Sequence, residues 1–178
     1  MRLPVPPVPW LLRPLHWWQR RRYGVVLQPT ALWSYRPRAL LAFLALFGTL
    51  RGTNSPLSLE LRTLVGLRVS QMNRCAFCID MNASMLEDAG MYPDKALTLP
   101  AWRDNPAFTQ AERLALEYAE AMTCTPPTVG DDLFRRIEKV FSPQAIVELT
   151  AVVAMQNLSA RFNAALGASS PGARVPVP

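Results

Sequence analysis

The 178-residue chain is half apolar by residue type, 18% charged and rich in proline, with 17 Pro against 8 Gly, which excludes wholesale disorder and suits one domain with some spare chain. No stretch approaches the roughly 20 apolar residues of a membrane span; the best is residues 39–50. Residues 1–51 carry eight Arg and no acid, whereas the rest carry 11 Lys or Arg against 13 Asp or Glu, so the body is mildly acidic and a nucleic-acid partner is not expected.

Residues 1–14 hold five prolines and read as an extended, polyproline-like segment without a core of its own. Pro4, Pro6, Pro7 and Pro9 interrupt the apolar helix that a secretion signal needs, so the expected location is the cytoplasm. The stretch Leu15-His16-Trp17-Trp18-Gln19-Arg20-Arg21-Arg22-Tyr23 is aromatic and basic together. It suits a weak membrane-surface contact through Trp17, Trp18, Arg20, Arg21 and Arg22. The preferred alternative packs the Trp residues on a neighbouring subunit and leaves the Arg residues in solvent. An N-terminal arm is therefore set at residues 1–36, a helical domain at 37–167 and a second extended tail at 168–178.

Between the arms the pattern is helical, and no period-two alternation marks a strand. A helix starts at Arg36-Pro37 and stops near Gly52. Leu57, Leu61, Leu64, Val65, Arg68, Val69 and Met72 follow three-and-four spacing behind Ser58 as N-cap. A third helix runs from about Cys75 to Ala89 with Gly90 as its left-handed stop, and Pro93 opens a short turn or helix. Thr109-Gln110-Ala111-Glu112 is a capping box for a helix to about Met122, which Thr125-Pro126-Pro127 closes. A short helix covers 130–141. Ser142-Pro143 starts the longest helix, to Leu166 and Gly167. Residues 145–155 are apolar nearly all round, which demands either the centre of the fold or a subunit interface.

The chemistry is carried by Cys75-Ala76-Phe77-Cys78. A pair three residues apart in the first turn of a helix lies close enough for a disulfide. The unpaired amides and positive end of the helix favour a thiolate there, and Arg74 adds charge. Structural zinc needs four ligands. Cys124 stands alone beside Thr125 and reads as a small apolar residue at a helix end; His16 lies in the arm, so neither a metal nor a cofactor is expected. The plain alternative is two inert, buried cysteines.

Residues 57–80, together with 141–150 and 156–163, resemble the core and final helix of the carboxymuconolactone decarboxylase and alkylhydroperoxidase-like superfamily. The resemblance implies an all-α bundle of about six to seven helices, assembled as a homo-oligomer (dimer, trimer or hexamer). In members with the Cys pair it also implies thiol-dependent peroxidase activity. Carried over, Cys78 meets a small peroxide or oxidised thiol, Cys75 resolves it, and a protein or small-thiol reductant reopens the disulfide. Such members usually carry a Glu on the preceding helix and a His four residues after the second Cys as a proton relay. Here those positions are Thr63 and Asn82, neither of which is a base near neutral pH. Glu60, one turn before Thr63, is the favoured substitute. Asp80, about 200° around a helix from Cys78, points elsewhere. Asn82 retains a role in orienting a water or a sulfur by hydrogen bonding. Slow peroxidase turnover is the first expectation; a non-catalytic redox sensor or docking oligomer is the second, and a decarboxylase-like enzyme on a lactone acid the third.

Overall fold

Nine α-helices and no strand occur in the residues that the computed structural model describes, 1–88 and 93–169. In chain order they are α1 (Arg13–Tyr23), α2 (Gln28–Trp33), α3 (Pro37–Arg51), α4 (Leu59–Met72), α5 (Ala76–Asp88), α6 (Pro93–Thr98), α7 (Gln110–Thr123), α8 (Asp131–Glu138) and α9 (Pro143–Leu166). The all-α bundle expected from the sequence is present, and α3 to α9 fall where the caps place them. Ser58 Oγ accepts from the Leu61 N–H at 3.2 Å, and Ser142 Oγ from the Ala145 N–H at 3.2 Å. Both halves of the Thr109–Glu112 capping box form, and Gly167 closes α9 at φ 64°. Gly90 and residues 170–178 lie outside the described residues.

Of the two places open to α9, the centre of the fold and a subunit interface, the centre is taken by another helix. That place belongs to α4, on which α5, α7 and α9 all pack and which is buried from Leu61 to Gln71 except at Arg68. Leu64, Val65, Leu67 and Val69 are wholly enclosed, each contributing about 2 kcal/mol of apolar burial. Helix α9 instead keeps one face open, with Val147, Ala154 and Leu158 exposed along it.

The first 36 residues, expected as an arm, form two helices that the sequence reading omitted. Residues 1–9 are extended, but they are tied down. The Arg2 N–H donates to Leu166 O at 2.8 Å and its Nη1 to Ala165 O at 3.1 Å, satisfying carbonyls at the end of α9. Tyr35 Oη donates to Pro4 O at 3.0 Å. Helices α1 and α2 are linked by Gln19, whose Nε2 donates to Thr30 Oγ1 at 2.8 Å and whose Oε1 accepts the Leu27 N–H at 3.1 Å. His16 is buried rather than free in an arm, with Nε2 3.0 Å from Ser34 Oγ; burial and the neighbouring Arg20 hold its pKa below the ordinary value. Trp33 stacks on Phe162 of α9 at 4.2 Å between centroids, which seats α2 on the bundle. Trp17, Trp18 and Arg20 to Arg22 stay exposed. No described helix is long and apolar enough to cross a membrane.

Candidate active site

The start of α5 is built by the end of α4. Arg74 adopts φ 51°, its N–H donates to Gln71 O at 3.0 Å, and the next N–H, of Cys75, donates to Ser70 O at 3.1 Å. This pair of bonds is a Schellman motif carried by a non-glycine residue. It turns the chain so that Cys75 becomes the cap of α5, and Cys75 Sγ accepts the Cys78 N–H at 3.3 Å, the place a serine oxygen takes at an ordinary N-cap. The two sulfurs are bonded to each other as a disulfide.

The two cysteines face differently. Cys78, 3% exposed, stands on the wall of a cavity of about 380 Å³, whereas Cys75 lies behind it and off that wall. The cavity separates α5 and α9 from a cover made by α1, α2 and α3. One side-chain amide reaches both sulfurs. Asn163 of α9, 1% exposed, points Nδ2 at Cys78 Sγ (3.4 Å) and Cys75 Sγ (3.8 Å), and Ser159 Oγ lies 4.0 Å from Cys78 Sγ.

Thr63 and Asn82 do come together, and a cation joins them. The Arg51 guanidinium donates through Nη1 to Thr63 Oγ1 at 3.1 Å and through Nη2 to Asn82 Oδ1 at 2.9 Å. Arg62 sets its position, for Arg62 Nη1 holds Leu50 O at 2.6 Å and Gly52 O at 3.1 Å and so fixes the last turn of α3. The Asn82 amide N–H groups go to Cys78 O (2.8 Å), Ser70 Oγ (3.3 Å) and Gln156 Oε1 (3.3 Å). Asn82 therefore orients the backbone beneath Cys78, and the amide that meets sulfur is that of Asn163.

Glu60 does not join this group. It is half-exposed in the first turn of α4 and accepts from Lys95 Nζ at 3.2 Å. Three residues leave Glu60 only about 60° around α4 from Thr63, but one turn further from the cysteines, where Lys95 holds it. Asp80 is buried and off the cavity wall, as its angular position required. Cys124 caps the end of α7 and is exposed, not packed as an apolar residue.

The residues that sequence reading missed are Arg51, Gln156, Ser159, Asn163 and the aromatic wall. Gln156, Ser159 and Asn163 stand at i, i+3 and i+7 on α9, a polar stripe along one face that has to meet something polar. That was the available signal. Arg51 carried none, since its partners are brought to it by two other helices.

The sequence pattern of the Carboxymuconolactone decarboxylase family matches residues 37–121. Over 174 residues the chain is 42% identical to the uncharacterized protein YnjA of Escherichia coli (strain K12), covering 97% of this chain and 96% of that one. Its fold is similar to that of an alkylhydroperoxidase AhpD core, an uncharacterized peroxidase-related protein from Ralstonia eutropha JMP134 (TM-score 0.82, 21% identity, 95% of this chain and 91% of that one). It is likewise similar to that of the debrominase Bmp8, solved in complex with 2,3,4-tribromopyrrole (TM-score 0.83, 20% identity, 97% and 94%). With its Cys pair at the head of a buried helix and this fold around it, the chain belongs to the carboxymuconolactone decarboxylase and alkylhydroperoxidase-like superfamily.

Proposed function

We propose that the protein is a thiol-dependent peroxidase working through Cys75 and Cys78. The observation that carries this reading is the placement of Cys78 alone on the cavity wall, at a helix N-terminus, with Cys75 bonded behind it. The Cys78 thiolate attacks the outer oxygen of a hydroperoxide; the O–O bond breaks, an S–O bond forms, and the alkoxide leaves and takes up a proton. The Cys75 thiol then attacks the Cys78 sulfur, forming the disulfide and releasing water. The two electrons that reduce the peroxide come from the two thiols, and an external dithiol returns them. The helix terminus and the Asn163 amide support the thiolate. Thr63 and Asn82 supply no base, so turnover is slower than in a complete relay by up to the 10²–10⁴-fold that a general base contributes.

Alkylation and mass spectrometry after reduction and a modest excess of peroxide test it. Wild type should lose two thiols and gain a Cys75–Cys78 bridge, and in Cys78→Ser the remaining Cys75 thiol should stay free. A wild-type protein that keeps both thiols free under those conditions is not a peroxidase.

A second reading uses the same dithiol on an aromatic halide, replacing halogen by hydrogen as the disulfide forms and halide leaves. The aromatic wall beside Cys78 supports it, as does the fold shared with a protein described as a debrominase. Halide release from a bromoaromatic by the reduced protein distinguishes the two. For the assembly we infer a homo-oligomer, supported by the open apolar face of α9.

A further inference from the structure

The cavity beside Cys78 is walled by the rings of Trp18, Trp33, Phe43, Phe47 and Phe77, and its volume is about 380 Å³. A cavity of about 150 Å³ holds one benzene ring, so this one has room for an aromatic ring with a short chain attached. One charged side chain enters the wall, that of Arg51. Its guanidinium is half-buried, lies over the Phe47 ring at 5.2 Å from the centroid, and donates to two neutral oxygens, Thr63 Oγ1 and Asn82 Oδ1. Among the described residues no carboxylate pairs with it. Burial, and then the like charge of Arg62, push its pKa down to about 10. A cation held in an apolar wall with no counter-ion gains much from an anion brought to it, because nearby water screens the pair poorly. Two of its nitrogens are engaged once each, and the guanidinium fork keeps further N–H groups for a ligand. A single cation matches a monoanion, and the planar fork matches a carboxylate in particular.

We propose that this cavity binds an aromatic carboxylate, its ring among the Trp and Phe side chains, its carboxylate on Arg51, and its reducible end toward Cys78. Only that last clause rests on the reading of Cys78 as the reacting thiol. Arg51 is then a specificity residue: it selects acids among aromatic compounds of similar size.

The test is calorimetric titration of the full chain carrying Cys75→Ser and Cys78→Ser, which removes thiol chemistry from the measurement. Cinnamate and its neutral amide, cinnamamide, are the probes. The expected result is at least about tenfold tighter binding of cinnamate, the scale of one charge-assisted hydrogen bond. Arg51→Gln should abolish that preference, and Arg51→Lys, which keeps the charge without the fork, should restore part of it. Equal affinity for the two probes overturns the proposal without any change at Arg51, as does failure of both to bind. A preference that survives Arg51→Gln overturns it too. Thiol loss to peroxide is measured separately on wild type, so failure of the peroxidase reading and failure of the ligand class are read in different experiments.

Discussion

At Gly66 an added methyl group would sit 2.8 Å from Asn82 Oδ1, the atom that accepts from Arg51. Asn82 is enclosed and fully committed, so it has no free direction in which to yield. Alanine gains about 1 kcal/mol of helix propensity over glycine, while overpacking a close contact costs about 1–3 kcal/mol. Gly66→Ala is therefore expected to lower unfolding stability by about 1 kcal/mol in urea titration and to weaken the Arg51 link at the same time. Arg74 presents the opposite case. Its φ of 51° is a left-handed conformation that costs an L side chain about 1–2 kcal/mol. Part of that returns with glycine, less the greater freedom glycine has when unfolded, so Arg74→Gly should raise stability by about 0.5–1 kcal/mol. A loss instead would mean that the Arg74 side chain holds the α4–α5 turn. Neither effect was legible in the sequence, because Gly66 reads as a weak helix residue until Asn82 is seen against it.

Helix α7 is held at its start by charge as well as by its cap. Glu112 accepts from the Thr109 N–H at 2.7 Å and from Lys95 Nζ of α6 at 2.7 Å. Burial alone would raise the Glu112 pKa, but the bonds from Lys95 and Thr109 outweigh it and hold the carboxyl below its ordinary 4.5. A group whose folded pKa is depressed gives stability above the unfolded value and loses it as pH falls through the folded one. Glu112→Gln should therefore lower Tm at neutral pH, and the difference from wild type should shrink as pH falls below 4.5. A Tm difference that stays constant down to pH ~3 would show that the carboxylate charge is not what Lys95 stabilises. The capping box itself was readable in the sequence, since its members lie three residues apart; Lys95 was not, since it comes from another helix.

On the scale of the molecule, the open face of α9 is the surface on which the proposed assembly rests. Val147 is 69% exposed in line with Ala154 and Leu158, an apolar strip along the open side of the helix. A second copy covering that face would explain why the helix is apolar there. Sedimentation velocity should find an oligomer in wild type and a shift toward monomer in Val147→Glu; a wild-type monomer at micromolar concentration removes the inference.

The sequence by itself determined what lies within one helical turn: the caps at Ser58, Thr109, Ser142 and Gly167, the all-α class, and the Cys pair at a helix start. It lost α1 and α2 because proline and arginine look like solvent-exposed chain. What folds them is Trp33 on Phe162 and Arg2 on the end of α9, more than a hundred residues away. The tertiary structure decided which cysteine faces the cavity, that Glu60 serves Lys95 instead of sulfur, and that Arg51 fills the gap between Thr63 and Asn82. Each of these depends on how far one helix is rotated against another, and that rotation is set by packing across the whole core rather than by neighbours along the chain.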